Sequence, residues 1–380
     1  MSPFYDLRED IQPGDIGRID TVNEQNHRLN TAVVMPDPTD AAVNVANFNN
    51  AITKASANGF GGTILFPPGK WTFNSTLRVR NLIGLRVIGC GYSTQLEFNV
   101  SAGADWVTIE HSQHCHWSDM YLYGTGSGIA RSAFALLRTN SEGSVYAPSQ
   151  NHLHDLSVDG KDKAESAVLI GGVDANNDFH TFERCTMQGY TVRGFDLRGV
   201  MQSYANEMRN VRLYAGTGAQ YGVDMGQAGV GATFNWSGGI MVGHTVADFR
   251  LSRSYQSVVI DGGFHSEGSA RFLVVAGIYK QIAVRDARWA GNLMHADNKA
   301  ITWTGIGQLS MENCSIGDGQ AVTPALTFDI PTGNMNRVSF RRNRVYSSAA
   351  AVFPNGVPGD LYGNDQITNE VENTTIVLEA

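Results

Sequence analysis

The sequence carries little charge and very few lysines. Charged residues make up 17% of the 380-residue chain, against about 25% in typical globular proteins, and only six of the 28 basic residues are lysine. The formal net charge is −8, and no cluster of basic residues resembles those that contact a phosphate backbone. The composition therefore predicts that nucleic acid is not a partner of this protein.

Long apolar runs and a leader pattern are also lacking. No apolar run approaches the ~18 residues of a membrane-spanning helix, so we expect no membrane insertion. The first ten residues, MSPFYDLRED, lack the basic start and apolar stretch of a signal peptide. Three explanations fit this start: the protein is cytosolic, it leaves the cell by lysis or another route, or a leader was removed.

Paired cysteine motifs are lacking as well. The four cysteines are far apart and form no CxxC pair, so buried free thiols are favoured over a disulfide framework or a zinc site. In the histidine-rich segment at residues 111–116, His114 and His116 share one face of a predicted strand. Two imidazoles without a matched carboxylate make a poor zinc site. We therefore predict neither a metal nor a cofactor.

What the sequence does contain is 42 glycines and an internal repeat. Short strands with alternating apolar residues recur at steps of about 27 residues, centred on Val168, Phe195, Val223 and Phe249. A second set follows half a period later, and its first positions are Phe182, Met208, Val284, Met311 and Phe340. In the second set, positions 1, 4 and 6 are apolar or small, with Asn343 as the exception. This pattern indicates a strand, a one-residue bend and a second strand.

Such a repeat cannot bury its apolar face alone, but a stack of repeats can. The period and short strands predict an all-β, right-handed parallel β-helix of about ten rungs. Residues 39–380 form this single domain, after an N-terminal extension at residues 1–38. A capping helix at residues 39–60 starts at Thr39 or Asp40, and a capping strand lies at about residues 370–380.

The segment from Phe48 to Gly91 carries a family resemblance. It combines an amphipathic helix, GGTILFPPG at 61–69, STL at 75–77 and LRVIGCG at 85–91. This arrangement resembles the opening module of the pectate-lyase-like β-helix superfamily, and most of all bacteriophage tailspikes and polysaccharide depolymerases. The resemblance implies a polysaccharide partner, a homotrimer and a virion or extracellular location.

The resemblance transfers no catalytic residue. Members of the superfamily include hydrolases, lyases, epimerases and inert receptor binders, so the fold does not define the chemistry. The polygalacturonase motif Gly-His-Gly is absent, since Thr245 follows Gly243 and His244. The Arg-x-Pro-x-x-Arg motif of calcium-dependent pectate lyases is also absent. Candidate sites must therefore come from the stacking of rungs.

The first candidate is a column formed by Asp196, Asp224 and Arg250. These residues take the same outward position on three successive rungs, about 4.8 Å apart. Stacked carboxylates should raise one pKa while the arginine keeps the other group ionised. That separation suits a general acid and a nucleophile or base in glycoside hydrolysis. The alternative is a hydrogen-bonded surface column without catalysis.

The second candidate is the pair His265 and Glu267, which share one face of a short strand. A histidine oriented by a carboxylate can remove a proton. Lyases and epimerases of acidic sugars need such a base and a cation, which Arg285 or Arg288 could supply from the next rung. The alternative is a polar turn.

A third group consists of possible substrate contacts. Position 2 of the second strand set reads His154, Glu183 and Arg209 on one stretch, and Asp261, Arg285, Glu312 and Arg341 on another. Alternating charges favour a stabilising salt-bridge ladder, although Glu183, Arg209 and Arg285 could also line a groove. Tyr214 at an outward position and Trp236 in an irregular rung could stack on sugar rings.

Three functions fit these features. The leading prediction is a virion-associated or extracellular protein that degrades a polysaccharide by hydrolysis, using Asp196, Asp224 and Arg250. The first alternative is a lyase or epimerase of uronates that uses His265 and Glu267. The second alternative is a receptor-binding spike without catalysis.

Overall fold

The structure is a computed structural model. It describes residues 31–34, 37, 39–56, 61–138, 149–172, 177–198, 205–225, 233–252, 255–290, 299–317, 327–329, 337–347, 361–362, 367–368, 370–372 and 375–378. Residues 1–30 of the predicted N-terminal extension lie outside this part of the chain.

One helix, α1 (Ala41–Ala55), follows the first strand, and all other elements are strands. In chain order the strands are β1 (Thr31–Val33), β2 (Thr63–Leu65), β3 (Gly69–Phe73), β4 (Leu77–Arg80), β5 (Arg86–Ile88), β6 (Thr94–Phe98), β7 (Asp105–Glu110), β8 (His116–Gly124), β9 (Ala130–Arg138), β10 (His152–Asp159), β11 (Ala164–Gly172), β12 (Thr181–Glu183), β13 (Thr186–Tyr190), β14 (Arg193–Leu197), β15 (Asn206–Arg209), β16 (Arg212–Ala215), β17 (Tyr221–Met225), β18 (Thr233–Ser237), β19 (Ile240–Val242), β20 (Ala247–Leu251), β21 (Tyr255–Asp261), β22 (His265–Glu267), β23 (Leu273–Val275), β24 (Ile278–Arg285), β25 (Arg288–Trp289), β26 (Lys299–Trp303), β27 (Ile306–Glu312), β28 (Ser315–Ile316), β29 (Thr327–Asp329), β30 (Arg337–Arg341), β31 (Arg344–Ser347), β32 (Leu361–Tyr362), β33 (Ile367–Thr368), β34 (Glu370–Glu372) and β35 (Thr375–Leu378).

Apart from β32 and β33, which form an antiparallel pair, the strands stack into a parallel β-helix with three faces. The first face runs from β1 and β2 through β12, β15, β18 and β21 to β34, and the second face from β3 and β6 through β13, β16, β19 and β22 to β35. Strands β8 and β10 belong to both faces, which form one sheet. The third face is a separate sheet of ten strands, from β4 to β29. The prediction of an all-β parallel β-helix is confirmed.

A single residue with left-handed backbone usually separates the first face from the second. The φ angle is 53° at Asp155, 51° at Arg184 and 52° at Asn210, and Gly238 takes the same place on the next rung. Glycine, asparagine and aspartate tolerate this conformation, whereas arginine seldom adopts it. The predicted pattern of strand, bend and strand therefore has a physical basis in one αL residue on each rung.

The inward positions of the repeat form the core. Phe182, Cys185 and Met187, at positions 1, 4 and 6, are all buried. The polar exception, Asn343, is also buried: its Oδ1 accepts a hydrogen bond from the amide of Cys314, and its Nδ2 donates to a backbone carbonyl. Asn343 therefore satisfies backbone groups at the corner that an apolar side chain would leave unpaired.

Helix α1 covers the N-terminal end of the stack. The side chain of Asp40 accepts hydrogen bonds from the first backbone amides of the helix, which makes it the N-cap. Phe48 is buried against Phe66, with ring centroids 5.9 Å apart. Strand β1 pairs with β2, so the stack begins before the predicted boundary at residue 39. No helix in the described part of the chain has the length and apolar character to cross a membrane.

Candidate functional site

Asp196, Asp224 and Arg250 stack on the third face in the predicted register. Asp196 on β14 pairs with Asp224 on β17, which pairs with Arg250 on β20. Arg250 donates one hydrogen bond of 2.6 Å to each carboxylate oxygen of Asp224. This two-point contact is the geometry in which a planar guanidinium binds a carboxylate most firmly.

Two more arginines cover the carboxylates, which corrects the expected exposure. Arg193 donates a hydrogen bond to Asp224 and lies 3.7 Å from Asp196, and Arg198 lies 2.6 Å from Asp196. As a result, Asp196 is only 3% exposed and Asp224 only 1%. A polymer cannot reach either carboxylate unless an arginine moves. Arg193 and Arg198 lie on the same rung as Asp196, and Arg193 also reaches Asp224 on the next rung. The repeat alone does not reveal this cover.

The pKa of Asp196 is raised mainly by burial and not by the stacked carboxylate that the sequence suggested as the cause. Burial raises the pKa of Asp196, although Arg198 and Arg193 act in the opposite direction, and the charge of Asp224 adds to the increase. A carboxyl with a raised pKa keeps its proton at higher pH, which suits a general acid. Asp196 therefore has the direction of pKa shift that a general acid needs, but arginines cover its carboxyl group.

The predicted charge ladder lies on the first face. His154 pairs in register with Glu183, and Glu183 with Arg209. Register continues through Ser237 to Asp261, and Arg285, Glu312 and Arg341 follow on the later rungs. The ion pairs, however, form with other residues: Glu183 pairs with Arg184, and Arg209 pairs with Glu207 on its own strand. The repeat thus predicts which charged residues lie next to each other, but it does not predict which of them form ion pairs.

His265 and Glu267 share one face of β22, as expected. Nε2 of His265 lies 3.3 Å from a carboxylate oxygen of Glu267, and the two side chains are 26% and 53% exposed. Arg288 is the in-register neighbour of His265 on the next rung. Arg285 instead lies on the first face, opposite Glu312. Of the two arginines considered for this pair, Arg288 is therefore the one beside it.

A surface groove crosses the bends between the first and second faces, and we call it the bend groove. Its volume is about 470 Å³, and it is lined by Arg184, Asn210, Arg212, Gly239, Ile240 and His265. These residues come from four successive rungs. Among the predicted site residues, His265 is therefore part of a groove, and Glu183 and Arg209 adjoin it as the chain neighbours of Arg184 and Asn210.

The sequence reasoning missed Arg184, Asn210 and Arg212. A signal was present, because Arg184 occupies the bend position that Asn210 and glycine fill on the following rungs. An arginine at a position that favours asparagine or glycine marks a side chain held there for a reason other than backbone preference. Gly239 contributes by its small size, since a Cβ at this position would lie 2.0 Å from the carbonyl oxygen of Val211.

The two aromatic candidates differ in accessibility. Trp236 is fully buried among core phenylalanines, and its indole nitrogen donates a hydrogen bond of 2.7 Å to the carbonyl of Gly238. The expectation that Trp236 stacks on a sugar is therefore wrong, because it occupies position 1 of its rung and points inward. Tyr214 is half-buried on β16, on the same rung as Arg212, and its neighbour in the next rung is Val242.

Three histidines form a cluster on the first face, which we call the histidine cluster: His116, His152 and His154. One ring nitrogen from each lies within 4.8 Å of the other two. Burial, together with the nearby charges of His152 and Arg86, lowers the pKa of His116 from 6.5 to about 4. The pKa of His152 is lowered by burial and by His154. The lowered pKa values keep His116 and His152 mainly neutral near pH 7.

A Ser–His–Asp arrangement also exists, but it lies in the interior. Nδ1 of His244 lies 3.0 Å from a carboxylate oxygen of Asp248 and 3.3 Å from Oγ of Ser269, and its Nε2 lies 2.6 Å from the hydroxyl of Tyr190. All four side chains are buried. A substrate cannot reach them, so this network satisfies buried polar groups and is not a catalytic triad.

Comparisons with known proteins give similarity in fold. No family model matches the sequence, and no curated protein matches it. The chain is similar to the Agl-KA catalytic domain at 12% identity and a TM-score of 0.52, over 92% of this chain and 65% of that one. It is also similar to ORF18 of Geobacillus virus E2 at 14% identity and a TM-score of 0.50, over 94% of this chain and 66% of that one. This chain thus spans just under two thirds of the length of each. The likeness shows the fold, which is a parallel β-helix.

Proposed function

We propose that this protein binds an acidic polysaccharide in the bend groove and cleaves it by elimination. The observation that carries the proposal is that Arg184, Arg212 and His265 meet in one surface groove. Guanidinium groups suit the carboxylates of uronic acids, and a histidine suits proton removal. The groove crosses four rungs, or about 14 Å at the spacing of neighbouring strands, which suits an extended chain.

In this proposal His265 is the base and Glu267 positions it. Nε2 of His265 lies 3.3 Å from a carboxylate oxygen of Glu267 without a hydrogen bond between them. In the proposal a small rotation of the exposed Glu267 side chain lets it accept the Nε2 proton, which leaves the lone pair of Nδ1 for the substrate. His265 removes the proton from C5 of the uronate, and the electrons of that bond form a double bond between C4 and C5. The C4–O bond breaks, and the departing oxygen takes a proton from water. Arg212 or Arg288 balances the negative charge that builds up on the carboxylate.

The remaining predicted contacts extend this surface. Glu183 and Arg209 lie beside the groove on the first face, and Tyr214 lies on the rung of Arg212. We propose that Glu183 and Arg209 bind sugar hydroxyls and that the half-buried ring of Tyr214 supports a sugar ring. Arg285 lies further along the first face, two rungs beyond Ser237, which ends the strand before Gly238 and Gly239. It would therefore contact only a longer polysaccharide.

The test is digestion of a panel of acidic and neutral polysaccharides, with two readouts. Elimination produces both new reducing ends and the ultraviolet absorbance of an unsaturated uronate, whereas hydrolysis produces reducing ends alone. We expect both signals from an acidic polysaccharide. His265→Gln should abolish the activity without changing the melting temperature. Arg212→Gln should raise KM and also lower kcat, because it removes a contact to the substrate carboxylate that strengthens as negative charge builds up there.

Arg285→Gln is the matched control, because Arg285 is also an exposed arginine but lies outside the groove. It should keep the activity on short substrates. If His265→Gln cleaves as fast as the unchanged protein, elimination in the groove is wrong. If a polysaccharide binds but is never shortened, the protein is a receptor-binding spike.

Hydrolysis at Asp196 and Asp224 is the second candidate. The observation in its favour is that burial raises the pKa of Asp196 while Arg250 contacts both oxygens of Asp224. Because arginines cover both carboxylates, this mechanism requires that Arg193 or Arg198 moves when substrate binds. Reducing ends without new absorbance, lost in Asp196→Asn, would support it over elimination.

A virion or extracellular location and a homotrimer follow from the resemblance to tailspikes and stay predictions. Light scattering on the purified full chain measures the assembly directly. A mass of about three chains is expected, and a monomer would contradict this part of the proposal.

A further inference from the structure

The histidine cluster combines two neighbouring strands. His116 on β8 pairs in register with His152 on β10. His154 lies two residues further along β10 and therefore on the same side of the sheet. The ring centroids are 5.5 Å apart for His116 and His152, and 4.6 Å for His152 and His154. Three imidazoles thus face one point outside the core.

The spacing of the ring nitrogens is close to what a metal ion needs. All three lie within 4.8 Å of one another. Nitrogens bound to one tetrahedral zinc ion at ~2.1 Å are about 3.4 Å apart. Small rotations of the half-buried rings therefore bring the nitrogens into range.

A carboxylate already orients one of the three rings. Nδ1 of His154 lies 2.9 Å from a carboxylate oxygen of Asp155. Arg184 fixes that carboxylate with two hydrogen bonds of 2.7 Å. A histidine that binds a metal usually donates its second ring N–H to such a carboxylate, which sets the tautomer and leaves the other nitrogen for the ion. His154 has this arrangement before any ion binds.

A second independent observation concerns His152. Its Nε2 is buried and makes no hydrogen bond, although a carboxylate oxygen of Glu183 lies 3.5 Å away. A buried polar atom without a partner is costly, and a bound ion would remove that cost. Glu183 is in register with His154 and can serve as a fourth ligand, while Asp155 and Glu183 offset the nearby charges of Arg86 and Arg184.

We propose that His116, His152 and His154 bind one divalent transition metal ion, with Zn²⁺ as the representative ion and Glu183 or water as the fourth ligand. Imidazole nitrogen is a preferred ligand of such ions. The site departs from the sequence-based prediction that no metal binds, because that prediction considered only His114 and His116 on one strand. It does not rest on the proposed elimination, since none of its three histidines lines the bend groove, although Arg184 and Glu183 adjoin both sites.

The test uses untagged full-length protein freed of metal by dialysis against a chelator. Zn²⁺ is titrated in competition with a chromophoric chelator, and Co²⁺ is added separately to follow its visible absorption. We expect one ion per chain. His152→Gln should weaken binding at least tenfold, and Asp155→Asn, which keeps all three histidines, should also weaken it about tenfold.

His265→Gln is the matched control, because the side chains of His265 and His152 are 26% and 28% exposed. It should bind Zn²⁺ like the unchanged protein. Melting curves without metal show whether each variant folds, and Glu183→Gln gives a second variant should His152→Gln fail to fold. Binding of less than one ion per chain would overturn the proposal, and so would His152→Gln and Asp155→Asn variants that bind Zn²⁺ as tightly as the unchanged protein.

Discussion

Arg250 reaches back across one rung to Asp224 and holds both oxygens of its carboxylate at 2.6 Å. The guanidinium also lies 4.3 Å from the ring centre of Tyr221, so it is held between a carboxylate and an aromatic face. Arg250→Met removes this two-point contact and leaves the buried carboxylate of Asp224 only the hydrogen bond from Arg193. We therefore predict that Arg250→Met lowers the free energy of unfolding by about 3 kcal/mol.

Denaturant unfolding of the two proteins measures this change. Arg285→Met is the control, because it removes an exposed arginine, and it should change stability by less than about 0.5 kcal/mol. Equal losses in the two variants would show that the contact with Asp224 does not stabilise the fold.

Two glycines at neighbouring bends should respond differently to alanine. Gly239 and Gly263 have φ angles of +78° and +77°. A Cβ at Gly239 would lie 2.0 Å from the carbonyl oxygen of Val211, whereas a Cβ at Gly263 meets nothing within 4 Å. Gly263→Ala should therefore cost about 1 kcal/mol, the price of a left-handed alanine. Gly239→Ala should cost several times more, and equal midpoints of unfolding would contradict this expectation.

Buried His180 should make the protein sensitive to acid. Burial lowers the pKa of His180 from 6.5 to about 3, so the unfolded chain binds a proton between these values that the folded protein does not. Stability is therefore greatest above about pH 6.5 and falls as the pH drops towards 3, by ~1.4 kcal/mol per pH unit from this group. The stability of His180→Gln, measured from pH 7 to 4, should fall less steeply. Profiles parallel to that of the unchanged protein would contradict the assignment.

The four cysteines should differ sharply in reactivity. Burial raises the pKa to about 12 for Cys115 and Cys185 and to about 11 for Cys314, whereas Cys90 is exposed. Since the thiolate is the reactive form, a thiol reagent should modify one group per chain in the native protein and four after denaturation. Cys90→Ser should remove the native reaction. Modification of more than one thiol per chain in the native protein would show that a second cysteine is accessible.

The register of the stack could be predicted from the sequence because a β-helix repeats one local pattern. Asp196, Asp224 and Arg250 stack as the period requires. The ladder from Glu183 to Arg209 also keeps its register. Each rung contacts only its neighbours, so the spacing of apolar residues determines which side chains are adjacent.

The cover of the carboxylates could not be predicted in this way. Arg193 and Arg198 reach Asp224 and Asp196 through long flexible side chains, and the repeat specifies where a Cα lies but not where a guanidinium ends. The prediction that Trp236 contacts a sugar failed for a different reason. With Gly239 and Met241 it fits positions 1, 4 and 6, so the pattern places it inward.

The histidine cluster was missed because its members come from different rungs. His116 and His152 are far apart in the sequence, and a long connection separates β8 from β10. Inspection of a single strand finds only His114 beside His116, and these do not form the cluster. The bend groove was missed for a related reason, since four rungs each supply only one or two of its residues.

The stacking of rungs also has a mechanical consequence. Hydrogen bonds between strands of neighbouring rungs point along the axis of the stack, from helix α1 at one end towards β35 at the other. If the two ends were pulled apart, every interface between neighbouring rungs would carry the same force. The force at which the protein yields would then equal the strength of its weakest interface, and additional rungs would lengthen the rod without strengthening it.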